Sequence, residues 1–222
     1  LSMATRKVGD YAFVRASDMI LPNIGQFPNG ANLVQRESFG VRPYLTRWAV
    51  PLDNEQSLYI GLAHLNEYNN PNGDLKPHQF GEELIPFIGQ TGDRPYRERQ
   101  REPGDYDAIV SQGTVANRGG EHLGTTDKGV ILIRRLLSQG IKAVMDGQPP
   151  AVPKQTVVDG TVRTYAHESV VKLPNSNSLD DPTKLADFGN KAALAYVDTD
   201  SLPPIEREQV VGDKIRGLLR DS

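Results

Sequence analysis

The stretch of sequence that decides the fold is residues 42–64, which read RPYLTRWAVPLDNEQSLYIGLAH. Its first nine residues alternate between two faces, as side chains do along a β-strand. One face carries Tyr44, Thr46, Trp48 and Val50. The next five residues, PLDNE, combine proline with polar side chains and therefore predict a hairpin loop.

A second strand is predicted directly after this loop. Leu58, Ile60, Leu62 and His64 fall on one of its faces, with Tyr59 on the other. Upstream, short apolar runs at residues 11–14 and 19–21 end close to turn-forming residues. Successive strands that are joined by short turns predict an antiparallel meander.

Further along the chain, the apolar spacing becomes that of a helix. Five apolar residues recur at intervals of three or four: Val130, Ile133, Leu137, Ile141 and Val144. Thr125 or Thr126 can cap the start of this helix, and residues 146–150, DGQPP, end it. A long amphipathic helix after a meander predicts an α+β fold with the helix lying across the sheet.

Weaker signals follow residue 153. Asp159-Gly160, flanked by residues 155–158 and 162–165, predicts a short hairpin. Two further helices are predicted around residues 182–196 and 204–220. The charged segment 93–103, in contrast, is typical of solvated surface.

The composition excludes several classes of function. A net charge of −3 over 222 residues provides no basic surface for nucleic acid. The absence of cysteine excludes disulfides, thiolate zinc sites and cysteine-ligated iron–sulfur clusters from this chain. No apolar run approaches the ~18 residues that span a bilayer, and residues 1–7 are not followed by the apolar segment of a signal peptide. We therefore expect a cytoplasmic protein without a membrane partner, and a first residue of leucine suggests a truncated chain.

The four histidines do not by themselves form a metal site. None of His64, His78, His122 and His167 is spaced from another so that one helix could present both as ligands. From its position alone, His64 at a strand end is expected to be a pocket-wall residue rather than a metal ligand, and His78 is expected to be a surface residue. His122, just before the helix, is expected to have a structural role, and no neighbouring residues indicate a role for His167.

Residues 104–137 carry a resemblance to a known family. The segment GDYDAIVSQG at residues 104–113 and the segment EHLGTTDKGVILIRRLL at residues 121–137 closely resemble the oxygenase components of Rieske non-haem iron enzymes. The likeness is to the branch of phthalate and phenoxybenzoate dioxygenases and lignin-type O-demethylases. It covers roughly residues 10–145, including the strand that contains Trp48 and the strand that ends at His64.

This resemblance implies a helix-grip fold, in which an antiparallel sheet is wrapped on a long helix. It also implies a mononuclear Fe(II) held by two histidines and one carboxylate, with positions left open for dioxygen. The family's carboxylate is an aspartate followed five residues later by Glu or Gln, which Asp107 and Gln112 match. Asp107 is therefore the expected metal ligand, and Asp105 is the alternative.

Two parts of the family's pattern are absent from this chain. The cysteine–histidine motif of the [2Fe-2S] Rieske cluster is missing, and so is the segment that carries the two iron-binding histidines. Both lie upstream of these strands in the family, so we expect them in a missing N-terminal part. Residues 1–150 are then a truncated catalytic domain, and residues 151–222 form a C-terminal extension.

The implied function is hydroxylation or O-demethylation of an aromatic or similar apolar ring substrate with dioxygen. A reductase or ferredoxin would donate the electrons, and a homotrimer is expected. Trp48, Leu62 and His64 are candidate walls of the substrate pocket, although core packing explains them equally well. The alternatives are a non-catalytic helix-grip domain that binds an apolar ligand, and a purely structural trimer-forming domain. The fragment alone is expected to be inactive.

Overall fold

The computed structural model describes residues 2–28, 37–40, 43–65, 72–73, 94–102, 104–150, 157–158, 160–175 and 177–220. The strands are β1 Ser2–Val8, β2 Tyr11–Ile20, β3 Ile24–Phe27, β4 Ser38–Gly40, β5 Leu45–Pro51, β6 Ser57–Ala63, β7 Val157–Val158, β8 Thr161–Val162 and β9 His167–Lys172. The helices are α1 Tyr96–Arg101, α2 Asp105–Val110, α3 Lys128–Met145, α4 Pro182–Val197 and α5 Pro204–Arg220.

The main sheet is antiparallel and curled, and its strand order is β4-β9-β2-β3-β5-β6, with β1 also paired to β2. The long strand β2 connects the parts of this sheet. Its first seven residues pair with β1, six of them also pair with β9, and its last three residues pair with β3. The two apolar runs predicted at residues 11–14 and 19–21 therefore belong largely to one continuous strand.

The predicted hairpin of residues 42–64 is confirmed. Strands β5 and β6 pair from Leu45 opposite Ala63 to Pro51 opposite Ser57. In the connecting loop, Oδ1 of Asp53 accepts hydrogen bonds from the backbone N–H groups of Glu55 (2.8 Å) and Gln56 (2.7 Å). An aspartate that bonds the backbone two and three residues ahead stabilises a tight turn, which explains the loop's position.

Two helices cover one face of the sheet and form the core with it. The even-numbered residues of β2 from Ala12 to Asp18 are buried, and α4 and α5 contribute the opposing apolar side chains. Burying one such aliphatic side chain stabilises the fold by roughly 1.5–3 kcal/mol. The core cluster contains Ala12, Val14, Val171, Leu173, Leu179, Phe188, Ala192, Ala195, Tyr196, Val211, Ile215 and Leu219.

The predicted long helix is present as α3, preceded by a short 3-10 turn, Thr125–Asp127. The side chain of Asp127 accepts a hydrogen bond from the backbone N–H of Gly124 at 2.8 Å, which stabilises this turn. The residue at the N-cap of α3 is Asp127 rather than Thr125 or Thr126, because both threonines lie within the turn. No residue of α3 is buried, whereas α4 and α5 bury apolar faces against the sheet. The α+β class is confirmed, and the architecture is compatible with a helix-grip-like fold. The prediction that the helix at residues 130–144 lies across the sheet is wrong, because α3 buries no residue and the helical layer on the sheet is built from α4 and α5.

The C-terminal part of the chain is built into the same sheet. Strand β9 lies between β4 and β2, and the helices predicted around residues 182–196 and 204–220 are α4 and α5. The short hairpin is confirmed as β7 and β8, where Gly160 has a φ of 74°, a value that glycine adopts without strain. The domain boundary at residue 150 stays a prediction.

Within the described ranges, no helix is both long enough and apolar enough to cross a membrane.

Candidate functional site

Asp107 lies in the first turn of α2, where its carboxylate is held by two donors. Its Oδ2 atom accepts a hydrogen bond from Nη2 of Arg94 at 2.5 Å and from the backbone N–H of Gly104 at 3.2 Å. The first N–H groups of a helix have no partner within it, so an acidic side chain three residues after Gly104 satisfies one of them. The local sequence thus fixes this carboxylate at the start of α2.

The ion pair between Arg94 and Asp107 is largely withdrawn from solvent. Their side chains are 14% and 16% exposed, respectively. A second guanidinium approaches the other carboxylate oxygen, with Nε of Arg99 3.8 Å from Oδ1. Asp107 also lines an open cleft of about 390 Å³ between α1 and α2, together with Tyr96 and Gln100. The site therefore combines one carboxylate with two guanidinium groups at the edge of a cleft.

The other two residues predicted for this site lie at the start of α2 and in the turn that follows it. The side-chain amide of Gln112 donates to the carbonyl of Ala108 at 3.3 Å, so the glutamine is bonded to the backbone of α2. Asp105 begins α2, but its side chain lies outside the described part of the chain. The assignment of Asp107 rather than Asp105 as metal ligand stays a prediction.

The chemistry of Asp107 fits one position of a two-histidine, one-carboxylate iron site, because a carboxylate is a suitable ligand for Fe(II). The described residues contain no group of three histidine, aspartate or glutamate side chains placed to hold a metal ion. This chain therefore offers part of such a donor set, and the two imidazoles would have to come from elsewhere.

The three predicted pocket residues share one face of the sheet. Trp48 pairs with Ile60, and Thr46 pairs with Leu62, so Trp48 and Leu62 point to the same side. His64 continues β6 on this face, because its backbone N–H donates to the carbonyl of Tyr44 at 2.7 Å. Leu62 is 52% exposed. The structure brings these residues together, and their role as pocket walls stays a prediction.

A row of polar side chains crosses the same face towards the core. The hydroxyl of Thr46 lies 2.8 Å from Nε2 of His64, and Nε2 of Gln26 donates to the same hydroxyl at 3.3 Å. In the register of β2 and β3, Gln26 lies opposite Asp18. Burial raises the pKa of Asp18 above its usual value, although the backbone N–H of Tyr165 donates to its carboxylate and opposes the effect.

A second polar group surrounds His167, a residue for which the sequence offered no context. Its ring is fully buried and stacks on Tyr196, while Nδ1 lies 2.6 Å from the carbonyl of Tyr165. Burial lowers the pKa of His167 to about 3. Because Tyr196 also bonds the hydroxyl of Ser169, this group attaches α4 to β9.

The remaining histidines are not brought into either group. His122 is exposed, and His78 lies outside the described residues.

Glu168 lies at the next position of β9 after His167. Burial raises the pKa of its carboxyl to about 7, against an opposing effect of Arg15.

Sequence reasoning missed three residues that complete these groups. Arg94 was assigned to solvated surface because it stands in a segment rich in charge. Asp18 and Tyr196 carry no local signal, since their partners are distant in the chain. The one local sign of burial for Asp18 was its position directly before the apolar run at residues 19–21.

Comparison with known proteins identifies relatives of this chain. It is 34% identical over 200 residues to the tert-butanol monooxygenase / tert-amyl alcohol desaturase oxygenase subunit of Aquincola tertiaricarbonis. That alignment spans 89% of this chain and 42% of the relative. It is also 42% identical over 67 residues to the phenoxybenzoate dioxygenase subunit alpha of Ectopseudomonas oleovorans, which is 30% of this chain and 16% of that protein.

These similarities confirm the resemblance to oxygenase subunits that residues 104–137 indicated. The chain therefore spans less than half of the length of either relative. No protein-family model matches the chain.

Proposed function

We propose that this chain is the C-terminal part of the oxygenase subunit of a Rieske-type oxygenase, because it is similar to two proteins that are named as subunits of oxygenases. The whole protein would be an oxidoreductase that uses dioxygen to oxidise an organic substrate. The 34% identity over 200 residues carries this proposal, because the alignment spans 89% of this chain rather than one motif.

Asp107 is the proposed carboxylate ligand of a mononuclear Fe(II). The described residues contain no group of three possible metal ligands, so the two histidines would come from another part of the whole protein, which would also hold the [2Fe-2S] cluster. When bound, the iron supplies the activation of dioxygen, with electrons from a reductase or ferredoxin. The contribution of this chain is to hold the carboxylate in place at the start of α2.

Trp48, Leu62 and His64 are proposed to line the substrate pocket. Trp48 and Leu62 provide apolar surface that would exclude water from the reacting centre, and His64 provides a polar group fixed by Thr46. Such a pocket favours a substrate that is mostly apolar with a small polar part.

The substrate proposed from the family resemblance is an aromatic or similar apolar ring compound, which would be hydroxylated or O-demethylated. The longer similarity favours a second candidate, a small branched alcohol, because the relative that matches 89% of this chain is named for tert-butanol and tert-amyl alcohol. Comparing dioxygen uptake with an aryl methyl ether and with a tertiary alcohol distinguishes these two substrate classes.

The remaining parts of the proposal are a homotrimeric assembly and a cytoplasmic location. The non-catalytic alternative, a helix-grip domain that binds an apolar ligand, is less well supported because both relatives are named as oxygenase subunits. The isolated 222 residues should not turn over a substrate, since a single carboxylate does not retain iron against water.

The test uses the intact oxygenase and compares wild type with Asp107→Ala, with Asp146→Ala at an exposed position as control. We expect Asp107→Ala to lose the mononuclear iron and dioxygen uptake while the Rieske absorbance is unchanged. Unchanged iron content in this variant would transfer the assignment to Asp105. An intact protein without iron of either kind would contradict the oxygenase proposal and support the binding domain.

A further inference from the structure

We propose that Arg94 is a positioning residue for Asp107: it occupies the Oδ2 atom and leaves Oδ1 as the donor atom for the metal. This inference rests on the proposed role of Asp107 as an iron ligand. It concerns a residue that stands thirteen positions earlier, in a segment whose charge is typical of solvent-exposed surface.

The first observation is that the donors to Asp107 converge on one oxygen. Nη2 of Arg94 and the backbone N–H of Gly104 both bond Oδ2, at 2.5 and 3.2 Å. The cation nearest to Oδ1 among the described residues is Nε of Arg99 at 3.8 Å, which is beyond hydrogen-bond distance. The two oxygens of the carboxylate are therefore not equivalent, and Oδ1 is the one left for a further ligand.

The second observation is that Arg94 is itself held in place. Its Nη1 atom donates to the carbonyl of Glu102 at 3.4 Å and lies 3.7 Å from the carboxylate of Glu98. Both Nη atoms of Arg94 therefore have partners, and a planar guanidinium held in this way orients a carboxylate better than a flexible ammonium would. The side chain is 14% exposed, so water competes weakly for the ion pair.

The consequence concerns how a metal would be bound. A carboxylate with one oxygen held by a cation binds a metal through its other oxygen, and groups that orient metal ligands affect the affinity. Removing Arg94 would free Asp107 to rotate or to bind through both oxygens. We therefore expect weaker binding and an altered coordination geometry, even though Asp107 is still present.

The experiment is a Co(II) titration of the iron-depleted intact oxygenase, followed through the visible spectrum of the bound Co(II). Arg94→Gln should weaken Co(II) binding by about 10- to 100-fold and change the Co(II) spectrum. Arg94→Lys keeps the charge but not the fork, so it should weaken binding by less. Arg97→Gln, at an exposed position on helix α1 three residues after Arg94, is the matched control and should bind Co(II) as wild type does.

Thermal unfolding of the same metal-free variants separates positioning from a structural role. The inference is overturned if Arg94→Gln has a lowered melting temperature but binds Co(II) with the affinity and the spectrum of wild type. Arg94 would then only connect α1 to α2. If Arg94→Gln does not fold, wild-type Co(II) affinity in Arg94→Lys overturns it instead. Unchanged Co(II) binding in Asp107→Ala is a different result, because it contradicts the proposed role of Asp107 as a metal ligand, on which this inference rests.

Discussion

The hydroxyl of Thr46 lies 2.8 Å from Nε2 of His64, and this contact joins the side chains of two neighbouring strands. The same hydroxyl accepts a hydrogen bond from Gln26 at 3.3 Å, so one small residue connects β3, β5 and the end of β6. Thr46 is buried at 5% exposure. The orientation of His64 on the proposed pocket face therefore depends on a residue that belongs to the sheet.

Thr46→Val removes this hydroxyl at nearly constant volume. We expect a loss of about 1–2 kcal/mol in the free energy of unfolding, because two polar side chains lose a shared partner in a partly buried position. Denaturant-induced unfolding measures the loss. Thr46→Ser retains the hydroxyl and should lose less, and equal losses in the two variants would show that the methyl group rather than the hydrogen bonds matters.

Leu62→Ala tests the pocket face in the intact oxygenase. We expect kcat/KM to fall about 10-fold or more, with the iron content unchanged, because lost apolar contact with a substrate costs roughly 1–3 kcal/mol. Tyr59→Ala is the matched control, since Tyr59 is on the opposite face of the same strand and is also exposed. A larger fall for Tyr59→Ala than for Leu62→Ala would place the substrate on the other face.

Gly189→Ala tests the packing of α4 on β1. A methyl group at Gly189 would overlap the side chain of Thr5, whose Cβ would be only 3.3 Å away. We expect a loss of about 1–3 kcal/mol in the free energy of unfolding, as is usual when a packed core is overfilled. Gly217→Ala in α5 meets no atom within 4 Å and should be neutral or stabilising. Similar melting temperatures for both variants would contradict the close contact.

The buried ring of His167 predicts a loss of stability in acid. Its folded-state pKa is lowered to about 3 from 6.5, so between these values the unfolded chain binds a proton that the folded protein does not. The stability contributed by neutral His167 is present above pH 6.5 and is lost as the pH falls towards 3. His167→Gln should reduce this slope by up to about 1.4 kcal/mol per pH unit. His122→Gln, at an exposed position, is the control and should leave the slope as in wild type.

Glu168 has the opposite dependence. Its folded-state pKa is raised to about 7 from 4.5, so the folded protein retains a proton that the unfolded chain releases in this range. The corresponding stability is present below pH 4.5 and is lost as the pH rises through 7. Glu168→Gln should therefore be more stable than wild type at pH 8 in denaturant-induced unfolding. The control is Glu55→Gln in the exposed hairpin loop, and equal stability of Glu168→Gln and wild type at pH 8 would refute the assignment.

Local patterns in the sequence predict those elements whose partners are close in the chain. The hairpin of β5 and β6 follows from alternation on both sides of one polar loop, and α3 follows from the spacing of its apolar residues and from the residues that end it. Strand β9 was missed because its partners on β2 are about 150 residues away. Its sequence, HESVVK, also shows no clear alternation, since five of its six residues are buried.

The candidate site shows the same division. Asp107 was predicted as a ligand from the resemblance of residues 104–113 to the family's motif. Its partner Arg94 was not predicted, because a charged segment gives no indication of which arginine will be paired. The shared face of Trp48, Leu62 and His64 could be predicted because the side chains of a strand alternate. The hydrogen bond from Thr46 to His64 depends on the register of two strands and becomes visible only in the folded sheet.

The position of β9 also has a consequence for the order in which the protein folds. One edge of β2 and one edge of β4 have their partner in residues 167–172, which the ribosome makes long after Tyr11. At translation rates of about 5–20 residues per second, the nascent chain exposes these edges for on the order of ten seconds. Unpaired strand edges associate readily with other chains. The growing chain is therefore most prone to aggregation before β9 emerges, and a chaperone that shields β2 would be most useful in that interval.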